Sequence, residues 1–154
     1  MMKIEPKEVA KRTNLFPGIC RRYGVKATHQ RREIYRELAG TKEHPDAEAV
    51  YTRVRKRIPS ISLDTVYRTL RTFEKKGLIS RVGPSGEKTR FDADTERHHH
   101  YVCTECGFIG DVYSEEWNDF KPPSGVMNMG TVNSIHVEVR GLCKACQKKQ
   151  RQNG

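Results

Sequence analysis

The sequence predicts an α+β protein of two small domains. These are an N-terminal winged helix over residues 1–91 and a small C-terminal α/β domain over residues 92–154. Three observations carry the prediction. Helix-like segments followed by two strand-like runs fill the first ninety residues, which is the element order of a winged helix. After Asp92 the pattern turns to short alternating apolar runs. Two C-x-x-C pairs, Cys103/Cys106 and Cys143/Cys146, bracket most of that second part.

The elements follow from local chemistry. Lys7 to Tyr23 reads as a helical segment broken at Pro17-Gly18. Thr28 is an N-cap for a helix through Ile34 and Leu38 that ends near Gly40. Asp46 caps a second helix carrying Val50, Val54 and Ile58 on one face, stopped by Pro59. Ser62 caps a third helix from Leu63 to Lys76, with a basic last turn and Gly77 at the position that favours a left-handed residue. Two strands are expected, Leu78 to Val82 and Lys88 to Phe91, separated by the turn Gly83-Pro84-Ser85-Gly86. In the second domain, Tyr101 to Cys103 and Phe108 to Val112 read as strands. Asn133 to Val139 alternates, with Ile135, Val137 and Val139 on one face. A short helix is expected at Glu115 to Phe120, ended by Pro122-Pro123. The Lys148-Lys149-Gln150-Arg151 tail reads as a solvated end.

Charge narrows the function. The chain has 154 residues and a net charge of +10, from 29 Lys and Arg against 19 Asp and Glu. Such a surplus points to a polyanion, nucleic acid before an anionic membrane. No run approaches the roughly 18 apolar residues a spanning helix needs, and the first residues lack the apolar core of a signal peptide. A cytoplasmic protein is therefore expected. In that reducing compartment, paired cysteines favour metal over disulfide. Cys20 stands apart and is read as a packing residue.

The third helix has the two faces a DNA reader needs. Leu63, Val66, Leu70 and Phe73 share one side, while Asp64, Tyr67, Arg68, Arg71 and Lys75 share the other. In a major groove, Arg can bond guanine and an aromatic can touch the thymine methyl. An ordinary amphipathic helix with a solvated basic face would show the same pattern. The net charge, the preceding helices and the following strands favour the reader.

Two metal sites are expected. Cys103, Cys106, Cys143 and Cys146 suit a closed tetrahedral zinc site, which tends to be structural because no position is open to substrate. Free thiols or a redox pair are the plainer alternative. His98 and His100 lie two apart, so on a strand they share a face with His99 opposite. With Asp92 and Asp111 nearby they read as a second ligand set, of imidazole and carboxylate character. His44 precedes the second helix, and spacing alone leaves open whether it joins them.

These motifs together resemble the ferric uptake regulator family over about Tyr23 to Gln147. The segment Gly24-Val25-Lys26-Ala27-Thr28-His29-Gln30-Arg31 is similar to the family's G-x-R-x-T-x-Q-R helix start, with His29 where Pro is common. His44-Pro45, Ser62 to Leu70, Arg90-Phe91-Asp92, His98 to Gly107, Asp111 and Cys143 to Cys146 complete the pattern. The resemblance implies a homodimeric, metal-dependent repressor on a two-fold symmetric duplex operator, the second domain carrying the dimer contact. It implies DNA contacts from Thr28, Gln30, Arg31, Ser62, Thr65, Tyr67, Arg68 and Arg71. It implies a structural Zn(II) on the four cysteines and a regulatory Fe(II) or Mn(II) on His44, Asp92, His98, His100 and Asp111.

Asp at both 92 and 111 resembles the family's peroxide-sensing branch, whereas the iron-sensing branch tends to have Glu. That implies oxidation of His44 and His98 when Fe(II) meets peroxide. Arg97 and His99 depart from the H-H-D-H run that forms a further site in the iron branch, while His136 remains. The nearest rival is an iron- or zinc-uptake regulator of the same family. A rival of another class is a zinc-ribbon RNA-binding protein, which would need exposed aromatics for stacking, and aromatics make up 8% of the chain. An enzyme is disfavoured, since no nucleophile motif or phosphate loop is present, and neither a membrane nor a small-molecule substrate is expected.

Overall fold

The structure is a computed structural model that describes residues 3–83 and 88–154. The chain divides into two compact units, Met1–Thr95 and Glu96–Gly154.

The first unit is helical with one hairpin. Its elements are α1 (Pro6–Asn14), α2 (Phe16–Tyr23), α3 (His29–Ala39), α4 (Ala47–Val54), α5 (Leu63–Lys76), β1 (Ser80–Val82) and β2 (Arg90–Asp92). Side chains cap the central helices: Thr28 accepts from the Arg31 amide, Asp46 from Ala49 and Ser62 from Thr65. Gly77 closes α5 in the left-handed region (φ 83°), which costs glycine nothing and would strain any other residue. Strands β1 and β2 pair antiparallel, Arg81 opposite Phe91, to form the wing.

Burial follows the third-helix pattern. Val66, Leu70 and Phe73 are buried with Phe16, Ile34, Leu38, Val50, Val54 and Leu78. The Phe16 ring stacks on Tyr35 at 5.0 Å and meets Phe73 edge-on at 6.0 Å. Cys20 lies inside this cluster, and burial pushes its thiol pKa up, which suits a packing role. Because Phe73 is wholly enclosed, Phe73→Ala is expected to cost about 3–5 kcal/mol in a denaturant melt. A loss below about 1 kcal/mol would mean that this cluster is not the core.

Several expected boundaries are corrected. The N-terminal break falls at Leu15, ahead of Pro17-Gly18. Pro17 sits in the first turn of α2, where its missing N–H would have had no helical partner anyway. Helix α4 stops at Val54 instead of running to Ile58. The Arg57 and Ile58 amides both turn back to the Val54 carbonyl, and Arg57 reaches Glu33 and Glu37 on α3. Strand β1 begins at Ser80, because the Leu78 amide is still committed to the end of α5, donating to the Phe73 carbonyl at 2.9 Å. The second wing strand begins at Arg90. Lys88, expected within it, instead pairs with Asp46 and Glu48. The turn read at Gly83-Pro84-Ser85-Gly86 lies, from Pro84 on, outside the described residues.

The second unit is a three-stranded sheet in the order β4-β3-β5, made of β3 (His99–Cys103), β4 (Ile109–Val112) and β5 (Glu138–Gly141). Strand β4 runs antiparallel to β3, and β5 parallel to it. Two short helices, α6 (Glu115–Asn118) and α7 (Ser124–Met127), lie in the connection from β4 to β5, and α8 (Lys144–Asn153) follows β5. The strand expected over Asn133 to Val139 starts only at Glu138. Its partner β3 begins at His99, so residues before Val137 have no backbone to pair with. The basic tail is exposed as expected, but it is helical.

Candidate metal centres and the candidate DNA-reading face

The parallel pairing of β3 with β5 builds the cysteine cluster. It sets Cys103 opposite Gly141, two residues before Cys143, so both C-x-x-C turns emerge at the same end of the sheet. Gly107, at φ 71°, closes the first turn, and its amide bonds the Cys103 carbonyl. Cys143 is the N-cap of α8 and Cys146 lies one turn in. The four sulfurs lie within 4.8 Å of one another, with Cys106 and Cys143 at 3.8 Å. In a tetrahedral site with Zn–S near 2.3 Å, neighbouring sulfurs stand roughly 3.8 Å apart.

The electrostatics fit a dication. Backbone amides of Cys106 and Cys143 hold the Cys103 thiol down at about 6, the latter amide 3.3 Å from its sulfur. Cys146 is pushed up to about 12, first by its hydrogen bond with Cys143 and then by burial. Four thiolates this close repel one another unless a cation sits among them. Zn(II) removes that repulsion and is satisfied by four sulfurs.

The histidines sit at the opposite end of β3, at its start. His100 is directly opposite Asp111 on β4, so their side chains share a face, and His98 precedes it by two. His98 Nε2 lies 3.1 Å from His100 Nε2, and Asp111 Oδ1 lies 3.6 Å from each. These are the spacings of ligands placed about 2.0–2.2 Å from one ion. His98 Nδ1 is 2.7 Å from the Glu96 carbonyl, which can accept its N–H and leave the Nε2 lone pair facing His100 and Asp111. His99 takes the other face. Its Nδ1 accepts from the Val137 amide at 3.1 Å and its Nε2 lies 3.2 Å from Asn118 Oδ1. Both ring nitrogens are therefore used to fasten the β4–β5 connection.

In the first unit, His44 and Asp92 form a matching pair. Both are buried, with Nε2 3.2 Å from Oδ2. The Asp94 amide bonds the other carboxylate oxygen at 2.8 Å. His44 is the one non-glycine among the described residues in the left-handed region (φ 51°), a conformation that needs support. Arg90 supplies it, donating to the carbonyls of His44 (2.6 Å) and Glu43. The sequence places Arg90 in a motif without revealing this role. A long cation beside two ligand positions is the available signal.

The expected DNA residues also lie in the first unit. Tyr67, Arg68 and Arg71 are exposed along α5, opposite its buried side. A hollow of about 360 Å³ is lined by Lys26, Thr28, Gln30, Arg31, Thr65 and Arg68, among others. Thr28 and Ser62 spend their hydroxyls as caps, which fixes the N-termini of α3 and α5. Arg31 also donates to the Lys26 carbonyl at 2.9 Å.

A sequence model described as the Ferric uptake regulator family matches residues 22–139. The chain belongs to the ferric uptake regulator family. It is 33% identical over 148 residues to the peroxide-responsive repressor PerR of Staphylococcus aureus, covering 96% of this chain and all of that protein. The Campylobacter jejuni peroxide stress regulator superposes with a TM-score of 0.66 at 29% identity, over 86% of this chain and 97% of that one. The Helicobacter pylori ferric uptake regulator, a structure with three functional metal-binding sites, gives a TM-score of 0.66 over 96% of this chain and 97% of its own. At 24% identity that likeness speaks for the fold alone. The chain is thus a ferric uptake regulator homologue related to peroxide-responsive repressors. No helix among its described residues is long and apolar enough to cross a membrane.

Proposed function

We propose that this protein is a cytoplasmic, homodimeric transcriptional repressor that binds duplex DNA when metal-loaded and releases it on meeting peroxide. The observation that carries the reading is the donor set. His98, His100 and Asp111 converge in the second unit, and His44 pairs with Asp92 in the first. The identity to a peroxide-responsive repressor over 96% of the chain supports it. In this reading all five residues bind one regulatory ion, Fe(II) or Mn(II), and the four cysteines bind structural Zn(II). Mixed imidazole and carboxylate donors suit these harder divalent ions, while four thiolates suit zinc.

Each residue then has a task. His44 and Asp92 bring the DNA-reading unit to the ion, and His98, His100 and Asp111 bring the sheet. Shared ligation fixes the spacing of two α5 helices in a dimer. Metal acts only through its preference for the DNA-competent arrangement. Fe(II) held by these residues would supply the redox chemistry that activates peroxide inside the site, without being consumed overall. His44 or His98 would take up the oxygen: the net change is one peroxide oxygen inserted at an imidazole carbon, the ring giving up two electrons and the other peroxide oxygen leaving as water. An oxidised imidazole is a poorer ligand, so the two units uncouple.

Exposed Tyr67 and Arg71 on α5 are assigned to base edges, and Lys26 and Arg31 to the hollow beside the phosphate backbone. Replacing Tyr67 or Arg71 should cost about 1–3 kcal/mol on the operator and flatten preference among sequences. Lys26→Gln should weaken all sequences alike and lower the salt slope by about one. Metal-loaded protein that binds random and promoter DNA equally in a titration would remove the repressor reading.

A further inference from the structure

We propose that His136 is a positioning residue that sets the tautomer and the aim of His100. The inference rests on the reading above, in which His100 is a ligand of the regulatory ion.

His100 uses both ring nitrogens. Its Nε2 faces His98 and Asp111 at 3.1 and 3.6 Å, while its Nδ1 lies 3.0 Å from Nε2 of His136. The two rings stand 4.8 Å apart, inclined by 46°. One of the facing nitrogens must carry the hydrogen. If His136 donated, His100 would hold its own proton on Nε2 or be left without one, and a protonated Nε2 cannot bind metal. If His100 donates from Nδ1, its Nε2 lone pair points at the other donors. Ligation therefore requires His136 Nε2 to accept, which raises the basicity of His100 and fixes its ring.

The backbone holds His136 in place for this. The next residue, Val137, is stitched twice to β3: its amide donates to His99 Nδ1 at 3.1 Å and its carbonyl accepts from the His100 amide at 3.2 Å. His99 thus gains a reason to be histidine that is independent of metal. It anchors the backbone beside the residue that orients its neighbour. Position 136 lies just ahead of β5, where pairing has not begun, so the side chain reaches along the sheet edge to His100.

The test is Mn(II) affinity of the zinc-loaded full-length protein, measured by calorimetry. His136→Ala should weaken Mn(II) by about 10–100-fold, the usual cost of losing a hydrogen bond to a metal-bound histidine. His136→Gln, which keeps an acceptor at similar reach, should recover most of that loss. Zinc content and the melting temperature of both variants should match the parent protein. Unchanged Mn(II) affinity in His136→Ala would overturn the proposal, as would an equal loss in the Ala and Gln variants. His100→Ala separates this from the underlying reading. If that variant binds Mn(II) as the parent does, the ligand assignment itself falls, and this inference with it. If His100→Ala abolishes binding and His136→Ala does not, only the positioning role is lost.

Discussion

Cys103→Ser and Cys143→Ser are each expected to lose zinc and unfold the unit Glu96–Gly154 while leaving the first unit folded. The reason is the uneven distribution of apolar packing. The large core cluster draws on α2 to the hairpin, and Ala93 is the last residue packed against it. The second unit buries only Val102, Ile109 and two cysteines among its described apolar side chains, and leaves Phe108, Tyr113, Phe120, Met127 and Met129 exposed. A sheet of three short strands with so little behind it is marginal alone. A zinc site of four cysteines contributes about 10–16 kcal/mol of binding free energy that is also folding free energy. It also closes the chain between β3 and α8 across 37 residues, the separation of Cys106 from Cys143. Three ligands hold zinc far more weakly than four. Metal analysis with a two-probe melt checks this. A Cys103→Ser protein with unchanged stability, and no zinc in either form, would show that the sulfur cluster is not a metal site.

How much of this is legible in the sequence differs by element. The capped helices are readable because caps are local chemistry. Thr28, Asp46, Ser62 and Gly77 sit where their side chains or φ angles demand. What the sequence misplaces depends on contacts distant along the chain. Helix α4 stops early because Arg57 meets carboxylates on α3, and β5 starts late because β3 does. Alternation over Asn133 to Val139 has the period of a strand but cannot supply a partner strand. At the metal centres, ligand types and spacing are visible as motifs. The supporting groups are not: the Glu96 carbonyl, the Arg90 clamp on His44 and the His136 contact arise only once strands and turns are placed.

A pulse of dilute hydrogen peroxide is expected to strip DNA from the Fe(II)-loaded protein and to leave the Mn(II)-loaded protein bound. The effect should be large because His44 and His98 are the hinges of the proposed coupling. Losing one ligand removes the free energy that biases the two units toward the competent arrangement. Moving an equilibrium from 99:1 to 1:99 needs about 5.5 kcal/mol of differential affinity. Losing all of that bias lowers the competent fraction, and with it DNA affinity, about a hundredfold, whereas losing a quarter of it leaves about nine-tenths of the protein competent. Manganese keeps the arrangement but does not readily reduce peroxide, so the same pulse should do little. Asp111→Glu should retain repression and blunt the response. The added methylene shifts the carboxylate that lies 3.6 Å from both His98 and His100, while charge and donor type are kept. An Asp111→Glu protein as sensitive as the parent would remove Asp111 from the sensing step.

The most direct measurement is peptide mass mapping of Fe(II)-loaded, zinc-retaining protein after a peroxide pulse, taken alongside its DNA binding. The expected result is one added oxygen on the peptide holding His44 or the one holding His98, rising in step with DNA release, with all four cysteines unmodified. Release of DNA with oxygen found only on Cys103, Cys106, Cys143 or Cys146, and both histidines intact, would mean a thiol switch and would contradict the account.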